Sequence, residues 1–210
     1  MNDAILTPSR TALLVIDVQN DFCDPRGATA LSGKSVAPCV TMVPRLARFL
    51  DEARRMGVRA IFVQMQQTAS TDSPAWLYGV GEGRRIEKCA AGTWGADFYV
   101  VAPVAGEPVV IKHRYSAFIN TDLNTVLKAR NIQSVLVCGV ATNVCVETTA
   151  RDAYMYDYYV TMIEDCSAAY EAKLHLGTLD NMRRHFGLVA SSKDVIEAWQ
   201  DLPDKRAAGL

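Results

Sequence analysis

Three side chains able to do chemistry stand where apolar runs stop. Asp17 closes ALLVID, Lys112 closes PVVIK, and SVLVCGV gives way to Ala141-Thr142-Asn143-Val144-Cys145, which turns into a helical pattern. Burying a carboxylate behind five apolar residues is costly unless it has a partner or a purpose. Cys145 falls near a helix amino terminus, where unpaired N–H groups and the helix dipole favour a thiolate. Together an acid, a cation and a thiol supply the parts that acyl transfer requires: proton carrier, positive charge and nucleophile. Each also has an ordinary reading. Asp17 can cap the turn-rich QNDF, Lys112 can snorkel from an edge strand, and a cysteine can be a small core residue, which is the reading for Cys138 in mid-strand. Taken singly the ordinary readings win; at three strand ends on one rim they do not.

The elements that must hold these residues can be read from periodicity. TALLVIDV (11–18), VRAIFVQM (58–65) and SVLVCGV (134–140) are β-branched and almost uninterrupted, as strands covered on both faces are. PVVIK (108–112) and YYVTMIED (158–165) are weaker, and FGLVASS (186–192) is weakest. Helical patterns lie between them. Residues 40–56 stack Val43, Leu46, Leu50 and Ala53 on one stripe and stop at Gly57, and residues 121–130 open on a Thr cap. Residues 143–157 and 171–185 follow the same logic. Alternating strands and helices predict one doubly wound α/β domain over residues 1–210, with helices on both faces of a mostly parallel sheet. In such sheets ligands bind outside the carboxyl ends of the strands. Residues 66–107, rich in glycine and poor in periodicity, read as a lid or binding loop or as a surface excursion.

Composition excludes several classes. Half of the 210 residues are apolar and 21% are charged, which fits a globular chain. Lys plus Arg is 22 against 23 Asp plus Glu, so no global field favours nucleic acid or an anionic membrane. No apolar run is long enough to cross a bilayer, and MNDAILTPSR lacks the apolar core of a secretory signal. Cys23, Cys39, Cys89, Cys138, Cys145 and Cys166 are widely spaced, without a C-x-x-C pair, and read as reduced thiols of a cytoplasmic protein.

The segments ALLVIDVQNDF, VVIKHRYSAF and GVATNVCVETTARDAYMYDYYVTMIEDCSAA resemble the three signature blocks of the isochorismatase-like cysteine hydrolase superfamily, and the similarity spans roughly residues 10–200. The resemblance implies a six-stranded parallel sheet, a catalytic triad at Asp17, Lys112 and Cys145, and a cis peptide between Val140 and Ala141. It also implies a mechanism. Asp17 takes the thiol proton, Lys112 lowers the thiol pKa, and the sulfur attacks an amide or ureido carbonyl. Backbone N–H groups of Ala141 and Cys145 then hold the oxyanion.

Nicotinamidases of this superfamily bind a metal through an Asp and paired His residues after the second strand. QMQQTASTDSPAW has Asp72 but no histidine there, so no metal and no cofactor are expected. Of the three histidines, His113 points away from the face of Lys112, while His175 and His185 fall on the last helix pattern and read as surface residues. The retained cysteine favours amide chemistry, and the second and third blocks are most similar to ureidoacrylate and N-carbamoyl amidohydrolases. The expected substrate is therefore a small linear amide, ureide or carbamoyl compound. The alternatives are vinyl-ether hydrolysis by Asp17 and Lys112, and a non-catalytic member kept for binding or oligomerisation. Pocket candidates by position are Asn20, Phe22, Gln64, Trp76, Tyr115, Phe118 and Asn143, with Arg114 available to a substrate carboxylate. The family resemblance and the aromatic cluster YMYDYY (154–159) point to a homodimer or homotetramer.

Overall fold

The computed structural model describes residues 6–78 and 88–202. A six-stranded sheet runs through it: β1 Thr11–Ile16, β2 Arg59–Met65, β3 Val109–Lys112, β4 Ser134–Val140, β5 Tyr159–Ala168 and β6 Leu188–Ala190. All pairings are parallel, in the order β3-β2-β1-β4-β5-β6. Every residue of β1 and β4 is buried, which is why those two segments carry no polar alternation. β3 alternates exposed and buried because it is an edge strand with Val109 and Ile111 facing outward. Succession runs outward from β1 to β3 on one side and from β4 to β6 on the other. The crevice between β1 and β4 is therefore the switch point at which open sheets bind ligands.

The helices are α1 Asn20–Cys23, α2 Ala28–Leu31, α3 Ala37–Arg55, α4 Pro74–Tyr78, α5 Leu123–Lys128, α6 Glu147–Met155, α7 Ala172–His185 and α8 Ser192–Gln200. One face of the sheet is covered by α3 and α8, with Leu46, Phe49 and Trp199 packed on Leu13 and Val15. The other face is covered by α5, α6 and α7, with Leu127, Ala150 and Met182 packed near Leu14 and Ile16.

Three boundaries differ from the sequence reading. α3 starts at Ala37, with Pro38 in its first turn, and carries Pro44 inside. The third pattern opens as a π-turn, Thr142–Val146, before α6 begins. α8 was not anticipated, although Ser191 and Asp194 form a capping box at its start and Trp199 stacks on Phe49 at 5.6 Å. Within 66–107 the described elements are only α4 and a 3₁₀ turn, Trp94–Ala96, and residues 79–87 lie outside the described residues. Among the described residues no helix is long and apolar enough to cross a membrane.

Candidate active site

Asp17 is the first residue after β1 and has φ 50°, a left-handed conformation uncommon for a residue with a side chain. Its N–H donates to Val63 O at 3.0 Å, which ties the bend to β2. Close approach of β4 makes the bend possible. Gly139 has φ 117°, and a Cβ there would lie 2.1 Å from Ile16 O.

Lys112 ends β3 and reaches past the end of β2 to place its ammonium 2.7 Å from Asp17 Oδ2, with both side chains fully buried. The ammonium also donates to Arg114 O and Tyr115 O, each at 3.0 Å. Two hydrogen bonds and the ion pair thus set its position. The thiol of Cys145, itself buried in the π-turn, lies near enough to interact electrostatically with both charged groups. The structure therefore brings together the three residues expected from the strand ends. The Val140–Ala141 peptide bond just before the turn is cis.

The electrostatics assign these groups different capacities. Burial raises the Asp17 carboxyl above its ordinary range, with Lys112 and the Cys145 thiol pulling against it. Neither carboxylate oxygen has a well-aligned hydrogen bond despite the close ammonium, so Asp17 is a thinly satisfied buried carboxylate and hence a good proton acceptor. Lys112 is held charged: burial opposes its ammonium, but Asp17 and Cys145 together raise its pKa. Burial pushes the Cys145 thiol well up; Lys112 pulls it down and Asp17 pushes it further up. Desolvation thus works against the thiolate that the position near a helix amino terminus favours. The thiol has its acceptor in contact and can give up its proton as it attacks.

The pocket candidates divide. Tyr115 is 40% exposed, and its phenol is raised first by burial and next by the nearby Cys145, which places it at the mouth of the site. Trp76 of α4 packs on Tyr115 with centroids 4.8 Å apart and donates Nε1–H to Gln67 Oε1 at 3.1 Å. Arg114 lies over the other ring, 4.8 Å from the Trp76 centroid, and no acidic group pairs with it among the described residues. Asn143 lines a shallow hollow with Glu147, Leu174 and Thr178.

The remaining candidates are taken up by the chain itself. Gln64 donates to Ala96 O at 2.7 Å and accepts from Gln66, while Asn20 donates to Trp94 O at 2.8 Å. Both fasten the returning 94–97 segment. Phe22 packs against the cores of both faces, and Phe118, 5% exposed, packs against Tyr156 and Tyr158.

Sequence reasoning missed the residues that organise this rim. Gln19 donates to Met65 O and Ala96 O, at 2.9 and 2.6 Å, and accepts from Met65 N–H. Asp21 accepts from the backbone N–H groups of Ala28 and Cys89, and Gly95 leaves room for its carboxylate. The signal was a run of polar residues directly after an apolar strand. His175 is also misplaced by the surface reading, since its Nδ1 lies 2.9 Å from Thr142 Oγ1 in the turn that carries Cys145. Burial lowers the pKa of its imidazole, with Glu164 opposing. His113, on the opposite side from Lys112, has Nδ1 2.6 Å from Gln66 O. Among the described residues no group of three or more His, Cys, Asp or Glu converges as a metal site would require.

A parallel α/β sheet with an acid, an ammonium and a thiol gathered at its carboxyl rim defines a hydrolase-like site. Residues 11–194 match the isochorismatase domain family, and the chain belongs to that family. Its relatives include a protein named ureidoacrylate amidohydrolase RutB from Agrobacterium fabrum, 34% identical over an alignment 212 positions long that covers 90% of each chain. The fold is similar to a cysteine hydrolase from Pseudomonas syringae pv. phaseolicola, with TM-score 0.82, 30% identity and coverage of 92% of this chain and 93% of that one. It is also similar to N-carbamoylsarcosine amidase from Thermoplasma acidophilum, with TM-score 0.70, 26% identity and coverage of 87% and 96%.

Proposed function

We propose that this chain is a cysteine amidohydrolase that cleaves a carbon–nitrogen bond in a small linear amide, ureide or carbamoyl compound. The observation that carries the reading is the buried contact of Asp17, Lys112 and Cys145. Sγ attacks the carbonyl carbon as its proton passes to Asp17, and the carbonyl electrons move onto oxygen. Backbone N–H groups of Ala141 and Cys145 stabilise that oxyanion, at about 3 kcal/mol per donor. The C–N bond then breaks, Asp17 returns its proton to the departing nitrogen, and a thioester remains on Cys145. Water attacks the thioester, its proton goes by way of Asp17 to the released sulfur, and the acid product leaves. Lys112 keeps the local charge favourable to the developing thiolate. No step uses a metal or cofactor.

The names of the relatives support a ureido substrate, and the Arg114 guanidinium, which has no acidic partner among the described residues, supports one with an acidic group at the far end from the scissile bond. Tyr115, Trp76 and Asn143 are the pocket residues this reading retains. Six free thiols support a cytoplasmic setting, and exposed Tyr154, Met155, Tyr156 and Tyr159 support a homodimer or homotetramer.

The test is ammonia and amine release across a panel of ureido acids, carbamoyl compounds and simple amides, with EDTA present, for the native chain and Cys145→Ala. Turnover of a ureide or amide that Cys145→Ala abolishes supports the reading. Full turnover by Cys145→Ala overturns it, and in that case a vinyl-ether substrate assayed in parallel would show whether Asp17 and Lys112 act alone.

A further inference from the structure

We infer that His175 is a positioning residue: through the Thr142 hydroxyl it sets the register of the turn that presents Cys145. The inference rests on Cys145 being the nucleophile of the site. Thr142 is fully buried and opens the π-turn, directly after the cis-linked Ala141. Its hydroxyl meets His175 Nδ1 at 2.9 Å. A buried hydroxyl that loses its partner is costly, so the turn has a strong preference for the arrangement in which this bond is made.

The contact belongs to a stripe along α7. His175, Thr178 and Asn181 are spaced three residues apart on one helix face, and all three bond to the segment around the nucleophile. Thr178 Oγ1 donates to Glu147 Oε2 at 2.7 Å and Asn181 Nδ2 to Glu147 Oε1 at 3.2 Å. Arg151 holds the same carboxylate through Nε and Nη2, at 3.0 and 2.6 Å. Glu147 is the first residue of α6, immediately after the π-turn. So α7 grips the five-residue turn at both ends, through Thr142 at its start and Glu147 just past its finish. Cys145 lies between the two grips. Of the two, the His175 contact holds the start of the turn, next to Ala141, whose N–H is one of the proposed oxyanion donors.

The geometry separates Nδ1 from the rest of the ring. Asn places its amide at the same bond distance from Cβ as Nδ1, whereas Gln places it where Nε2 would be. The experiment compares His175→Asn, His175→Gln and His175→Leu in the full chain. It reads the rate of Cys145 alkylation by iodoacetamide, located by peptide mass, together with kcat and KM on whichever amide the panel identifies. His175→Leu and His175→Gln are expected to slow alkylation and lower kcat about tenfold, the rate equivalent of one buried hydrogen bond, with KM changed by less than about twofold. His175→Asn is expected to stay near the native rates. Thr142→Val combined with His175→Leu should be no worse than either alone.

Native rates in His175→Leu overturn the inference. So does an equal loss in all three variants, which would mark simple packing. If His175→Leu does not fold, the contrast between Asn and Gln decides. Alkylation needs no substrate, so its failure to respond in an active amidase sinks this inference alone. A normal alkylation pattern in a chain that hydrolyses no amide sinks the proposed function alone.

Discussion

Replacing Lys112 with Met tests the buried ion pair through stability and chemistry at once. Lys112 and Asp17 are both fully buried at 2.7 Å, and among the described residues the ammonium is shared with two backbone carbonyls and the nearby thiol. Removing one member of such a pair leaves the other charge stranded, which costs about 3–5 kcal/mol. For a chain of this size that lowers Tm by about 10 °C, since each kcal/mol moves it about 2–4 °C. The chemical effect has a definite sign. Lys112 is the chief influence holding down a carboxyl that burial raises, so without it the Asp17 pKa rises further. A base must be ionised to accept the thiol proton, so the acid limb of kcat/KM moves to higher pH in Lys112→Met. The double variant Asp17→Asn/Lys112→Met removes both charges and should be less destabilised than the sum of the single variants. Urea denaturation and a pH–rate profile measure both effects. A stability loss below about 1 kcal/mol, the value of an exposed pair, or an acid limb that stays in place refutes the argument.

Gly139→Ala places a Cβ 2.1 Å from Ile16 O at φ 117°, so it should lose about 2–5 kcal/mol in chemical denaturation and distort the bend at Asp17. Arg114→Ala should raise KM about tenfold for substrates bearing a carboxylate and leave uncharged amides nearly unaffected, as steady-state kinetics on matched pairs would show. Stability should also fall in alkali. The buried thiols of Cys89, Cys138, Cys145 and Cys166 are raised above 9.0 by burial, and Cys23 by Cys39 and then burial. Above pH 9 the unfolded chain gives up protons that the folded chain keeps, so the stability present below that pH is lost as pH rises, at about 1.4 kcal/mol per unit for each thiol. Denaturation midpoints measured from pH 7 to 10.5 check this, and a flat profile contradicts it.

The sheet was legible because strands buried on two faces admit almost no polar residue, and the exceptions then stand out. Asp17 and Lys112 were visible for that reason, as ionisable groups at the ends of β1 and β3. Cys145 was visible because an apolar run turned into a helical one just before it. The pocket was not legible, because its assignments depend on contacts between distant segments. Asn20 meets Trp94, and Gln64 meets Ala96, only after the 94–97 segment folds back on β2. Nothing near Gln64 in sequence says that its amide already has a partner. His175 was misread for the same reason, since a histidine on an amphipathic helix looks like a surface residue until its partner 33 positions away is seen. α8 follows β6 after a single residue, so its capping box at Ser191 and Asp194 merges in sequence with the end of the apolar run.

The direct test of the central claim is to mix the native chain with a turned-over amide or ureide, quench in acid within milliseconds, and weigh the protein. The account predicts a transient mass increase equal to the acyl fragment, mapped to the peptide carrying Cys145 and absent from Cys145→Ala. Rapid turnover with no adduct under conditions where its breakdown is slowed, or an adduct on another residue, would contradict it.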